Sequence, residues 1–290
     1  MSFIANHHSH TSFSDGVYPA EIYLQAALSK GLQVYGFSDH APLPIEGFGA
    51  MSMKKLPAYL ARIEELQAEY EGRIQLYKAL EVDYLPGVMD LHSPYILEAK
   101  LDYTLGAIHY VGMLSNGLPW GFQSSHANFQ KGVAELFDGD IEACIRQYYA
   151  LVREMVQKTP PTIVAHLDRV KKLNEGERYF SEKSPWYQSE VMQTLEVIAK
   201  AGIILEVNTK GYYNKVVADT YPSHWILGIA RELGIPVQIG SDAHKPRHII
   251  AGFEYAMDSL QKLGFRSTRI MWHGRWQDVP LEELALLPVG

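Results

Sequence analysis

Phe3-Ile4-Ala5-Asn6-His7-His8-Ser9-His10 runs from a short apolar segment directly into a cluster of histidines. The same transition recurs along the chain. Apolar runs end in Asp39-His40, Glu81-Val82-Asp83, His109, His166, Asn208 and Asp242-Ala243-His244. Random placement would scatter the 12 histidines, yet His8, His10, His40, His109, His166 and His244 all fall at these ends. Donor groups at the ends of many strands describe a metal site built where parallel strands converge.

Longer segments of helical period separate these runs, the alternation that produces βα units around a parallel sheet. Phe3 to Asn6 reads as a strand, Pro19 opens a helix through Ile22, Ala26 and Leu28, and Gly31 closes it. Leu32 to Ser38 is the second strand, and Leu60, Ile63, Leu66 and Tyr70 mark the helix that follows. Further strands are expected at Ile74 to Val82, Tyr103 to Ile108, Thr162 to Ala165, Ile203 to Val207 and Ile235 to Gly240. Helices are expected at Asp90 to Lys100, Ile141 to Val156, Glu190 to Ala201, His224 to Leu233 and Phe253 to Leu263. Val111 to Asp140 shows no clear period and exceeds a usual connection in length, so it is expected to form an irregular wall or lid. Seven βα units with their polar groups at one end predict an α/β fold, a distorted (β/α)7 TIM-like barrel, rather than a doubly wound sheet. No break in composition divides residues 1–290 into more than one domain.

A chain of 290 residues with 47% hydrophobic content can bury a large core. Its net charge of -7 argues against a broad nucleic-acid-binding face, so a phosphate-bearing substrate must be small or met by local cations. The one cysteine, Cys144, reads as a core residue and forms no internal disulfide, which suits a reducing compartment. No signal peptide precedes His7, and no apolar run approaches the roughly 18 residues of a membrane span. A cytoplasmic protein without a membrane partner is expected, and its oligomeric state stays open.

Residues two apart in a strand share a side, so His8 and His10 converge while His7 and Ser9 face away. Asp242-Ala243-His244 repeats the spacing, and barrel closure brings the first and last strands together. Glu81 supplies a carboxylate able to bridge two cations, and His40, His109 and His166 add nitrogen donors. Asp15 follows His10 on the next loop. Nine candidate ligands exceed the needs of one tetrahedral zinc, which implies two or three divalent ions, with zinc, manganese or iron suiting the mixed donors. Adjacent ions acidify a bridging water and polarise a substrate oxygen, which serves several hydrolyses; for a phosphate ester they would hold the phosphoryl oxygens. His40, His244 and Asp15 are candidate proton donors to the leaving alkoxide. Arg169, Lys210 and Arg247 are candidate cationic contacts to the phosphate, and Lys171-Lys172 read as ordinary solvated charges.

His8-Ser9-His10-Thr11, Ser38-Asp39-His40, Glu81-Val82-Asp83-Tyr84, Ile108-His109, Ala165-His166-Leu167-Asp168 and Gly240-Ser241-Asp242-Ala243-His244 resemble the successive motifs of the PHP (polymerase and histidinol phosphatase) family. Chain length, the Glu-Val-Asp-Tyr run and Phe137 to Val156 are most similar to its histidinol-phosphate phosphatases. The resemblance implies a trinuclear centre with His8, His10, Glu81 and Asp242 on one ion, Glu81, His109 and His166 on a second, and Asp15, His40 and His244 on a third. It further implies conversion of L-histidinol phosphate to L-histidinol and phosphate in histidine biosynthesis, with Asp83, Tyr110, Trp120 and Phe122 as candidates to receive the amino and imidazole groups. Lys210 stands where the family carries a small polar residue after Asn-Thr. Three alternatives share parts of the pattern: a family member acting on nucleotides or other small phosphates, a non-catalytic metal-binding module, and a carbon-nitrogen hydrolase. The absence of a candidate bridging lysine at a strand end opposes the last.

Overall fold

Apolar, β-branched and aromatic runs of four to nine residues form strands that are buried on both faces, as parallel strands covered by helices must be. The computed structural model describes residues 4–45 and 49–284. Phe3, expected in the first strand, lies outside the described residues. The strands are β1 (Ala5–Asn6), β2 (Val34–Phe37), β3 (Gln75–Asp83), β4 (Tyr103–Ala107), β5 (Tyr110–Met113), β6 (Pro119–Gly121), β7 (Ile163–Val164), β8 (Ile204–Asn208), β9 (Val237–Gly240), β10 (Ser267–Trp272) and β11 (Arg275–Pro280). Seven of them pair in parallel in the order β1-β2-β3-β4-β7-β8-β9. The sheet curls into a nearly closed barrel. At the seam a single bridge joins Ser9 to Ala243, where His10 N–H donates to the Ala243 carbonyl at 2.9 Å. Asn6 reinforces it by donating from Nδ2 to Ser241 Oγ and to the Ile249 carbonyl.

Two apolar layers follow from this curl. Ala5, Val34, Ala79, Leu105, Ile163 and Ile204 fill the barrel, whereas the outward faces of the strands pack beneath the helices. The longest helices are α1 (Ala20–Ser29), α2 (Leu56–Glu69), α4 (His126–Phe137), α5 (Ile141–Lys158), α6 (Pro185–Ala201), α8 (His224–Glu232) and α9 (Phe253–Lys262), with short α3 (Pro94–Glu98) and α7 (Lys210–Tyr213) between them. In α5 the expected apolar face is buried through Ile145, Tyr148, Val152, Met155 and Val156. Asp140 caps its start by accepting from Ala143 N–H at 3.0 Å. None of the helices among the described residues is long and apolar enough to cross a membrane.

Three departures from the sequence reading have local causes. Pro94 starts α3 four residues later than Asp90, because the Asp90 and Ser93 side chains tie the preceding backbone into a turn. Val111 to Asp140, expected as an irregular wall or lid, is regular: it holds the antiparallel pair β5 and β6 and then the three-turn helix α4. Ser125 caps that helix by accepting from Asn128 N–H. Finally, β10 and β11 form an antiparallel hairpin that the sequence reading left unassigned. It covers the N-terminal ends of the barrel strands, where Ile270 and Met271 join the interior and Gly274 N–H donates to Tyr77. His7 points into this closed end against Tyr77, Tyr103 and Trp276, and burial pushes its pKa down to about 3, so the ring is neutral.

This wall depends on Trp120, whose buried ring lies against Gly132 of α4 and whose Nε1 donates to the Asn128 carbonyl. A β-carbon at Gly132 would approach Trp120 to 1.9 Å. Gly132→Ala gains about 1 kcal/mol of helix propensity, but the overpacking costs about 1–3 kcal/mol. A lowered melting temperature in thermal denaturation is the expected result, and an unchanged or raised one would count against this packing.

Candidate metal centre

Every donor expected from the strand ends lies at the C-terminal mouth of the barrel, opposite the hairpin plug. Glu81, at the end of β3 and 1% exposed, is the centre of the arrangement. Its Oε2 meets His40 Nδ1 at 3.1 Å, His8 Nε2 at 3.3 Å and His10 Nε2 at 3.4 Å. Its Oε1 meets His166 Nε2 at 2.8 Å and His109 Nε2 at 3.7 Å. Asp242 Oδ1 lies 3.1 Å from His10 Nε2 and 3.4 Å from His244 Nδ1. Asp15 Oδ1 faces His244 Nε2 at 3.1 Å, with His10 and His40 each at 3.8 Å.

The donor atoms fall into three compact groups able to hold an ion: His8, His10 and Asp242; Glu81, His109 and His166; and His10, Asp15, His40 and His244. A fourth combines His40, Asp83 and His109. The donors suit divalent metals in their own right. His10 Nδ1 and His166 Nδ1 are buried with no hydrogen-bond partner among the described residues, a costly state for a ring nitrogen unless a cation is at hand. His166 and Asp242 also carry positive φ, a strained conformation for residues with a side chain, which packing and contacts must hold in place.

Electrostatics follow the same geometry. Burial alone would raise the carboxyl of Glu81, but His40, His8 and His109 outweigh it and hold the group well below the usual carboxylate range. Asp242 is also held low, with burial opposed by Lys210 and His8. For Asp15 the hydrogen bond with His244 and the charges of His40 and His10 overcome burial. His8 goes the other way. Burial lowers its pKa, yet Glu206, Asp242 and Glu81 together raise it well above the ordinary value, so a cation arriving at Nε2 must displace a proton. Burial, His244 and His40 instead keep His10 neutral, and burial with Arg169 lowers His166 to about 4.

Behind the donors lie carboxylates that aim them. Glu206 accepts from His8 Nδ1 at 2.6 Å and from His166 N–H at 2.9 Å, fixing one ring and one backbone. A β-carbon at Gly240 would come within 2.1 Å of Glu206 Oε1, so the neighbouring strand has to be glycine there. Asp83 meets His109 Nδ1 at 2.9 Å, which makes it an orienting group for that ring. Asp39 accepts from Thr11 and Ser14 and so shapes the loop that presents Asp15. Glu206 is absent from the sequence reading, although a glutamate inside the apolar run Ile204-Leu205-Glu206-Val207 was its signal.

Beside the donors opens a cavity of about 200 Å³ lined by Asp15, His40, Asp83, His109, Tyr110, Gln123, Arg169 and Lys172 among others. Arg169 NH1 reaches Asp242 Oδ2 at 3.3 Å, and its Nε donates to Gln123 Oε1. Lys210 Nζ is 2.9 Å from Asp242 Oδ1. Arg247 is exposed, bonded to His248, and absent from the cavity lining. Two expectations are corrected here. Lys171 and Lys172 are not solvated charges: Lys171 is 4% exposed and paired with Asp168 at 2.7 Å, while Lys172 lines the cavity, and burial with Arg169 and Lys210 lowers its pKa to about 8. Trp120 and Phe122 are buried among Phe129, Phe137 and Tyr148, so they serve as core of the wall. Of the aromatics offered as substrate contacts, Tyr110 lines the cavity.

The pattern that defines the PHP domain family matches residues 6–210. A probable histidinol-phosphatase of Deinococcus radiodurans is 33% identical over 247 residues, 84% of this chain and 87% of the relative. A Listeria monocytogenes protein named for histidinol phosphatase activity shares the fold with a TM-score of 0.76 at 22% identity, covering 87% of this chain and 99% of that one. Histidinol phosphate phosphatase from Lactococcus lactis, solved with zinc, L-histidinol and phosphate, does so with a TM-score of 0.68 at 19% identity, covering 94% and 98%.

The carboxylate behind His8 gives a direct test. Glu206→Gln keeps the shape but removes the charge that holds the ring, and metal affinity should fall about 10–100-fold in chelator competition. Unchanged affinity would mean that His8 is aimed by packing alone.

Proposed function

The chain belongs to the PHP domain family, and from that premise we propose that it hydrolyses a small phosphomonoester, L-histidinol phosphate, to L-histidinol and inorganic phosphate. The observation that carries this reading is the cavity itself, where Asp15, His40, Asp83 and His109 of the donor cluster face two cations, Arg169 and Lys172. Its volume suits a small ligand, and the net charge of -7 argues against a broad basic face for a polyanion. The histidinol moiety is supported by the Deinococcus relative and by the ligands of the Lactococcus protein that shares the fold.

His8, His10, Glu81 and Asp242 would hold one divalent ion, Glu81, His109 and His166 a second, and Asp15, His40 and His244 a third, with zinc, manganese or iron suited to the donors. When bound, such ions lower the pKa of water and neutralise phosphoryl charge. Arg169 can add a forked contact to a phosphate oxygen, because only part of its guanidinium is engaged by Asp242 and Gln123. Lys172 adds a point charge from the same wall. As oxygen from water bonds to phosphorus, the ester oxygen leaves and needs a proton. Asp15 is held ionised and is a poor source, so its part is to align His244 and His40. His40 lines the cavity, but its Nδ1 faces Glu81 and its Nε2 faces Asp15, and burial lowers its pKa, so as a ligand it holds no free proton and the departing alcohol takes its proton from solvent. Asp83 beside His109 leaves the acidic wall facing the amino end of the substrate.

Phosphate release from a panel of histidinol phosphate, sugar and amino-alcohol phosphates and nucleotides tests the substrate. Histidinol phosphate should give the highest kcat/KM, and faster turnover of a nucleotide or diester by a wide margin would sink the assignment.

Two substitutions separate metal from phosphate binding. His10→Ala should lose metal and activity together. Arg169→Ala should retain metal and raise KM roughly 10–100-fold, the loss expected for a charge-assisted contact of about 1.5–3 kcal/mol. Unchanged kinetics in Arg169→Ala would remove it from the phosphate site.

A further inference from the structure

Lys210 is the first residue of α7 and sits at the metal cluster rather than over the cavity. Its Nζ lies 2.9 Å from Asp242 Oδ1 and 3.2 Å from both ring nitrogens of His244. Those are donor atoms of two different groups that could each hold an ion. An ammonium carries no acceptor, so it balances Asp242 in the way a metal ion would, and it stands beside the 3.4 Å edge between that carboxylate and His244 Nδ1. A divalent ion drawn to either partner at this edge meets the like charge of the ammonium at close range. Lys210 is one-fifth exposed and rides on a flexible four-carbon stem, which gives it a route outward. Burial there is tolerable only while the charge is paired.

The geometry points to Lys210 as a resident counter-cation of the metal-free protein, displaced from the Asp242–His244 edge when a divalent ion binds there. This rests on the metal-holding reading given above. Lysine and metal compete for the same carboxylate, so the last ion to load binds more weakly than its ligands alone would allow. The metal-free cluster, in turn, is spared an unpaired Asp242. Arg169 contacts the other oxygen of Asp242, at 3.3 Å, and cannot take over the Oδ1 position without moving.

The test compares metal-stripped wild type, Lys210→Met and Lys172→Met. Zinc affinity is read by titration calorimetry and by zinc retained after dialysis against a chelator. Thermal melting of the metal-free and loaded forms accompanies both. Lys210→Met should bind its most weakly held zinc on the order of tenfold or more tightly. Its metal-free form should melt at a lower temperature than wild type, and its loaded form should not. Lys172→Met removes a nearby lysine that makes no contact with Asp242, and should show neither effect. Unchanged zinc affinity in Lys210→Met overturns the inference, and so does an equal gain in Lys172→Met, since that would be a general effect of charge. If Lys210→Met fails to fold, Lys210→Gln is read against the same outcomes. A wild-type chain that binds no zinc overturns the proposed function as well, whereas zinc-binding wild type with an indifferent Lys210→Met overturns this inference alone.

Discussion

Burying one ionised carboxylate beneath the rim of an apolar barrel costs several kcal/mol unless cations or donors surround it. Glu81 meets that demand by drawing imidazoles from five positions, His8, His10, His40, His109 and His166, onto its two oxygens. The demand fixes the upper end of the barrel. The strands around β3 must end at one height, with their terminal side chains turned inward, or the charge is stranded. Small and branched residues below it, such as Ala79, Leu105 and Ile163, let the strands curl tightly enough for those imidazoles to meet.

The two ends of the barrel show how much environment outweighs residue type. His7 and His8 are adjacent, yet one is stripped of its proton by burial among aromatic rings and the other retains it among Glu206, Asp242 and Glu81. Strand alternation sends them in opposite directions, and a single residue step separates a packing histidine from a chemical one. The same contrast holds for Lys171, locked to Asp168 and Ser223, and Lys172, left facing the cavity.

The strand-end donors were legible because each follows an apolar run, and a run of that length leaves few choices for where its last residues point. Asp15 was legible by position, since a loop leaving His10 can fold only so far from it. What escaped the pattern did so for separate reasons. Glu206 went unread and Asp83 was read at its strand end only as a substrate contact, whereas each meets a neighbouring histidine, and nothing in local spacing distinguishes an aiming carboxylate from a ligand or a substrate contact. The β5–β6 pair is broken by Gly112, Gly117, Pro119 and Gly121, too often for a period of two to appear. Helix α4 did leave a trace, in Ser125 before Phe129, Val133 and Phe137 at helical spacing, but the glycines before it masked its start. Lys172 could not be separated from an ordinary surface charge, because its neighbour on the cavity wall, Gln123, is distant in sequence.

The seam of the barrel gives the cluster a second meaning. Strand β1 spans two residues, and the chain that leaves it is tied to the segment after β9 by the Ser9–Ala243 bridge and by a few hydrogen bonds, among them Asn6 to Ser241 across a sequence separation of 235. Closing a loop of that length costs several kcal/mol of chain entropy, more than so short a ladder repays by itself. His8 and His10 come from one side of the seam, Asp242 and His244 from the other, so ions held by both would rivet the barrel shut. The reaction centre is thereby also a clasp, and the ions that would supply its chemistry would tighten a seam that protein contacts alone hold more loosely.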